Sequence, residues 1–248
     1  GLELAQQSLG SRPTTAWQID PFGHSYTAMR LFHDMGFEQL FLNRFSTARY
    51  REIADKKQAQ QYWTSKDIEG RSPFKLFTYL NPGHYSIPGS FFQPRYTNIL
   101  DENNVEIRQQ AFGNLNQVFS ENQAMGTSEV IFMAGDDFAY ASFEQDIKVA
   151  NLMYFIIACN NITGIYSGVF SARWSSVDGY FERVKAELAA KGTNVTQSTG
   201  DWFPLINFAS KHTFAWTGFF TTNPYSKRVI KRYGQLVRGL THLFALRT

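Results

Sequence analysis

The run Ala16-Trp17-Gln18-Ile19-Asp20-Pro21-Phe22-Gly23-His24-Ser25 constrains this chain more than any other. An apolar segment ends on a carboxylate, a Pro-Phe-Gly turn follows, and an amphipathic stretch occupies 26–35. Met29, Phe32 and Met35 share one face of that stretch at helical spacing. A strand that stops on an acid and turns into a helix delivers the acid to the mouth of an α/β fold, where ligands gather. Asp-Pro in isolation is an ordinary turn signal; here it sits where the hydrophobic period changes from strand to helix.

The remainder of the chain continues that grammar. Strand-like segments at 15–19, 39–42, 129–133 and 163–167 alternate with helical ones at 2–9, 105–123, 142–160 and 177–189. This is the pattern of a largely parallel sheet in an α/β fold. The segment 77–94 is rich in Pro, Gly and Tyr and reads as an irregular loop. From Ser226 onward, Val229, Ile230, Tyr233, Leu236, Val237, Leu240 and Leu243 recur at helical spacing. No acidic residue follows Asp201, whereas Lys227, Arg228, Lys231, Arg232 and Arg238 crowd this helix. We read them as a solvated basic face rather than as a dedicated surface for an acidic partner.

Composition narrows the function classes. At 248 residues, 43% hydrophobic, the chain can bury a sizeable core as one large domain, or one domain with a small appendage. A net charge of +3 gives no support for a nucleic-acid partner. No apolar run is long enough to cross a bilayer, and no secretory leader opens the chain. The start, without Met and inside a helical pattern, reads as cut from a longer precursor. The lone Cys159 forms no internal disulfide and reads as a small buried hydrophobe. Two N-glycosylation sequons begin at Asn161 and Asn194, the second in the more turn-like segment.

Asp20 and the pair Asp136-Asp137 both follow apolar strand-like runs, so both are expected at the same end of a parallel sheet. Two converging carboxyls are what glycosidic hydrolysis requires, one to attack or activate water and one to protonate the leaving oxygen. Asp136 also suits a helix N-cap, and its charge would raise the pKa of a neighbouring carboxyl.

Three stretches resemble the glycoside hydrolase family 38 α-mannosidases, the lysosomal branch more than the Golgi branch. They are 16–37, Gly135-Asp136-Asp137-Phe138-Ala139-Tyr140, and Trp216-Thr217-Gly218 through Lys227. The resemblance implies a distorted, incomplete seven-stranded β/α barrel over 1–224, its first strand missing. Residues 225–248 would be the first helix of a following helical bundle. It implies Asp20 as nucleophile and zinc ligand, Asp137 as general acid/base and His212 as a second zinc ligand. Arg44, Tyr85, Asp136 and Trp216 would lie on the substrate side. The family's other two zinc ligands come from a His-x-Asp motif that does not precede Asp20 here, so a companion chain from the same precursor is expected to supply them. Ser86 stands where aspartate is common, and Asn223 where arginine is common. The implied activity is zinc-dependent, retaining hydrolysis of terminal α-mannose from N-linked or oligomannose glycans, in the lysosome or secretory pathway. The alternative is a non-catalytic glycan-binding or structural component.

Overall fold

The computed structural model describes residues 1–65, 72–86, 126–141, 171–209 and 212–247, and helical residues 152–153, 156–157 and 160. Five strands form one sheet: β1 (Thr15–Gln18), β2 (Gln39–Leu42), β3 (Gln60–Thr64), β4 (Lys75–Leu80) and β5 (Gln197–Ser198), in the order β1-β2-β4-β3-β5. β1, β2 and β4 run parallel, β3 is antiparallel to β4, and β5 is parallel to β3. Among the described residues the helices with full bounds are α1 (Leu2–Leu9), α2 (Tyr26–Asp34), α3 (Thr47–Lys56), α4 (Val177–Ala190) and α5 (Pro224–Ala245). A separate antiparallel hairpin joins β6 (Ile206–Ala209) to β7 (His212–Ala215) and leads into a 3-10 turn, Trp216–Phe220.

β2 is buried along its whole length and has a parallel neighbour on each edge. Register aligns Trp17, Phe41 and Tyr79, and their rings contact in sequence at 4.4 Å and 4.8 Å. Helix α4 closes over this ladder, with Tyr180 on Tyr79 at 5.4 Å and Phe181 on Phe77 at 5.7 Å. Its buried stripe, Tyr180, Phe181, Val184 and Leu188, follows helical spacing, and the Ser176 hydroxyl accepts from the Gly179 amide at its start. Each fully buried ring or branched aliphatic in this core contributes about 1.5–3 kcal/mol of apolar transfer.

Several sequence expectations hold as elements. Residues 2–9, 39–42 and 177–189 form α1, β2 and nearly all of α4, and 15–19 and 26–35 shorten slightly to β1 and α2. Others change. Part of the expected loop at 77–94 belongs to β4, because Leu76, Phe77, Tyr79 and Leu80 are buried on a strand with sheet neighbours on both sides. The expected strand at 129–133 makes no ladder among the described residues: Ile131 and Met133 pack half-buried on the core, and the described pairing nearby is an isolated bridge between Gly135 and Ser86. Met35 is 40% exposed rather than on the core face, because α2 ends at Asp34 and Gly36 turns the chain at φ +89°. The described strands make an open sheet and a hairpin; a closed seven-stranded barrel is not formed among the described residues. The expected elements at 105–123 and 163–167, together with Cys159 and Asn161, lie outside the described residues. The C-terminal helix is present as α5, starting on Pro224, and none of its residues is buried.

Candidate active site

The signature turn is built by local chemistry. Ser25 caps α2 by accepting from the Ala28 amide at 3.1 Å. Gly23 takes φ +111°, and an added Cβ would stand 1.8 Å from the Phe203 carbonyl oxygen, so no other residue fits there. His24 is buried, its Nε2 bonds the Asn43 carbonyl, and burial lowers its pKa to about 4, so the ring is neutral. Backbone bonds between His24 and Trp202, at 3.0 Å and 3.2 Å, tie the turn to the segment carrying Phe203. Thr217 holds that same segment by donating to the Phe203 carbonyl at 3.0 Å and accepting from the Leu205 amide at 2.7 Å. The Trp-Thr-Gly motif and the Asp-Pro-Phe-Gly motif therefore lean on one another.

Asp20 emerges just beyond β1, half-exposed, and pairs through Oδ1 with Arg44 Nε. Arg44 follows the end of β2 by two residues and also donates from Nη2 to the Tyr85 hydroxyl at 3.2 Å. Its guanidinium lies between two rings, 5.3 Å from the centroid of Phe22 and 5.7 Å from that of Tyr85. Burial alone would lower the Arg44 pKa; its bonds to Tyr85 and Asp20 outweigh that and raise it.

Tyr85 lies beyond the end of β4. Its carbonyl accepts from the Gly135 amide at 3.0 Å, and the bridge at Ser86 carries the neighbouring acidic pair alongside. The Tyr85 hydroxyl then stands 3.0 Å from Asp137 Oδ1 and 3.3 Å from Asp20 Oδ1. Burial, reinforced by the Asp137 carboxylate, raises the Tyr85 pKa, so the phenol keeps its proton at neutral pH. Asp20, Arg44, Tyr85 and Asp137 thus form one connected group at the ends of β1, β2 and β4 and the segment at 135–137.

The other expected site residues divide. Asp136 points its Oδ1 at the Asp137 amide, 2.8 Å away, and its carbonyl accepts from Ala139; it caps the 137–140 turn. Trp216 packs against Phe22 at 5.6 Å, and Phe22 also meets Phe219 edge-on at 5.2 Å, giving an aromatic wall beside Asp20. The backbone of His212 lies in β7, paired with Ala209. At about 3.3 Å per residue, an extended strand places it on the order of 13 Å along the chain from Trp216. Among the described residues, no three His, Cys, Asp or Glu side chains converge as a group that could hold a metal ion. Asp20 fits as a donor: its described bonds fall on Oδ1, and its carboxylate is half-exposed. The described residues by themselves therefore do not make a zinc centre. Asn194 is exposed in the irregular segment before β5.

Sequence reasoning missed Phe22, Asn43 and Tyr50. Phe22 lay inside the signature and could have been found there; Asn43 and Tyr50 carry no motif. With Arg44, Phe45, Gly83, His84 and Asn207, the last two line a cavity of about 280 Å³ on the Arg44 side of the site.

The model of the glycosyl hydrolases family 38 N-terminal domain matches residues 1–218. Alpha-mannosidase E of Dictyostelium discoideum is 25% identical over 93% of this chain and 20% of its own length. The lysosomal alpha-mannosidase of Mus musculus is 26% identical over 95% of this chain and 23% of its own. Alpha-mannosidase 2 of Drosophila melanogaster is 25% identical over 99% of this chain and 24% of its own. The chain thus spans about a fifth to a quarter of the length of the curated relatives it matches. With a family model matched across most of its length, the chain belongs to glycosyl hydrolase family 38.

Proposed function

We propose that this chain carries the reacting carboxyl pair of a retaining α-mannosidase acting on terminal α-mannose of N-linked or oligomannose glycans. The observation that carries the reading is the Tyr85 hydroxyl, set between Asp20 Oδ1 at 3.3 Å and Asp137 Oδ1 at 3.0 Å across 117 positions of sequence. Those two distances end to end keep the oxygens closer than the ~6.5–9.5 Å of inverting pairs and within reach of the roughly 5–5.5 Å of retaining pairs. Asp20 is the nucleophile: Arg44 orients it through Oδ1, leaving Oδ2 to attack the anomeric carbon as the glycosidic C–O bond breaks. Asp137 donates its proton to the leaving oxygen, then takes one from the water that releases mannose. Hydrogen-bond accounting favours that division. Tyr85 has one proton and accepts from Arg44, so both carboxyl contacts are satisfied when one carboxyl is ionised and the other protonated. Phe22 and Trp216 offer the apolar wall on which a sugar ring stacks.

Zinc dependence is general in this family, and the proposal includes it with Asp20 as one ligand and His212 as the expected second. The donors described do not complete a centre, so the steps above run on this chain's own side chains. A companion chain or further segment would supply the rest. A lysosomal or secretory location is proposed from the lysosomal relatives and the exposed Asn194; no described helix is long and apolar enough to cross a membrane.

Hydrolysis of a chromogenic aryl α-mannoside, with and without a zinc chelator, tests the reading. Asp20→Asn is expected to abolish turnover with the circular dichroism spectrum unchanged. Substantial residual turnover in that variant refutes the assignment of Asp20. Absence of turnover in a folded preparation that also holds the segment completing the zinc site moves the function to the glycan-binding alternative.

A further inference from the structure

Arg44 orients Asp20 from a backbone conformation that resists it. Its φ is +62°, in the left-handed region where a non-glycine Cβ crowds the following carbonyl. Glycine would relieve the crowding but would remove the guanidinium that reaches Asp20 and Tyr85. Such a conformation persists only where its surroundings over-determine it.

Two side chains do so. Asn43 Oδ1 accepts from the Arg44 amide at 2.7 Å, and the Tyr50 hydroxyl, presented by α3, accepts from the same amide at 3.1 Å. Tyr50 also accepts from the Phe45 amide at 3.3 Å and donates to Asn43 Oδ1 at 2.6 Å. Its single proton and both lone pairs are therefore used. The Asn43 amide orientation follows, because only an oxygen accepts from a backbone N–H. From the far side, His24 holds the Asn43 carbonyl. The Tyr50 ring itself packs edge-on against buried Phe45, 5.7 Å away at 84°. Among the described contacts Tyr50 touches neither Asp20 nor Asp137.

We propose that Tyr50 is a positioning residue: with Asn43 it clamps the left-handed backbone of Arg44, so that the guanidinium meets Asp20 and Tyr85 at once. A residue returning to negative φ would swing its Cα–Cβ bond away and carry the guanidinium off the carboxylate. The consequence for turnover rests on the reading of Asp20 and Asp137 as the reacting pair; the clamp itself is observable without turnover.

The test is NMR of the full chain labelled with ¹⁵N-arginine. The Nε–H signal of Arg44 is identified by its disappearance in Arg44→Lys. In the parent protein this hydrogen, bonded to Asp20, is expected to exchange slowly with solvent. Tyr50→Phe keeps the ring and removes the hydroxyl, and is expected to speed that exchange roughly 10-fold, the weight of about one hydrogen bond. Asn43→Ala removes the other acceptor and is expected to act on the same signal in the same direction. In an active protein, Tyr50→Phe lowers kcat while leaving KM within about twofold, since an orienting contact acts on the transition state. Unchanged Arg44 exchange in either folded variant overturns the clamp, whatever happens to activity. Loss of the fold in both overturns it too, by making the pair carry the domain rather than the arginine. A preparation with its zinc site completed that shows no turnover, but with the exchange effect intact, counts against the hydrolase reading and leaves the clamp standing.

Discussion

Gly23 and Gly200 form a natural controlled pair. Their φ angles are +111° and +112°, so alanine at either meets the strain of a positive φ. Their surroundings differ. Nothing lies within 4 Å of a Cβ built on Gly200, whereas one on Gly23 meets the Phe203 carbonyl oxygen at 1.8 Å, its carbon at 2.8 Å and its Cα at 3.3 Å. All three are backbone atoms, so the 203 segment must move by more than 1 Å to reach ordinary contact. That movement disrupts the two backbone bonds joining His24 to Trp202, each worth about 1 kcal/mol. It also disturbs the Thr217 bonds to Phe203 and Leu205. Positive-φ strain costs about 1–3 kcal/mol, partly offset by about 0.4–1 kcal/mol from the stiffer unfolded chain. Gly200→Ala should therefore cost about 1 kcal/mol and Gly23→Ala about 3–5 kcal/mol, a large share of a typical 5–15 kcal/mol stability. Urea unfolding with a common slope measures both. Equal costs, within about 0.5 kcal/mol, would show that the close approach of the two motifs does not hold and that φ alone sets the penalty.

Three further outcomes are expected. His24 titrates near 6.5 when unfolded but at about 4 when buried, so the unfolded state binds the extra proton first. Stability is then full above pH 6.5 and falls by about 3 kcal/mol as pH drops towards 4; urea midpoints across that range should lose this slope in His24→Gln. Tyr85→Phe removes the hydroxyl between Asp20, Arg44 and Asp137 and should lower kcat roughly 10–100-fold, the weight of one hydrogen bond to a charged group; steady-state kinetics on the aryl mannoside reads it. Asn194 is exposed in an irregular segment, so Asn194→Gln in a secretory host should remove one N-glycan by mass; an unchanged mass rejects that site.

The signature segment was legible because its chemistry is local. A strand period, a Pro-Gly turn and a Ser cap within twelve residues announce β1, the turn and α2 without help from distant chain. The same holds for α4, whose cap and stripe lie within fourteen positions. Elements that depend on neighbours were harder to read. β4 looked like a loop because Pro82 and Gly83 follow it closely, and only pairing with β2 and β3 makes it a central strand. Residues 129–133 have the composition of a strand but no ladder partner among the described residues, so packing of Ile131 and Met133 takes the place of pairing. Asp136, expected on the substrate side, also caps a turn through Oδ1 on the amide of Asp137, a contact its motif alone does not specify.

By itself, the sequence determined which residue types could react and roughly where each would emerge: Asp20 after a strand, Asp137 after an apolar run, Arg44 just past Leu42. Those are matters of local period, turn chemistry and motif, all within a few residues of the group concerned. Only the tertiary structure decided that Tyr85 would join the two carboxyls and that Asn43 and Tyr50 would hold Arg44 in a left-handed turn. Phe203 closing on Gly23 was decided at the same level. Each is a contact between separate segments of chain, made by orientation to within a fraction of an ångström, and hydrophobic periodicity carries no information at that scale.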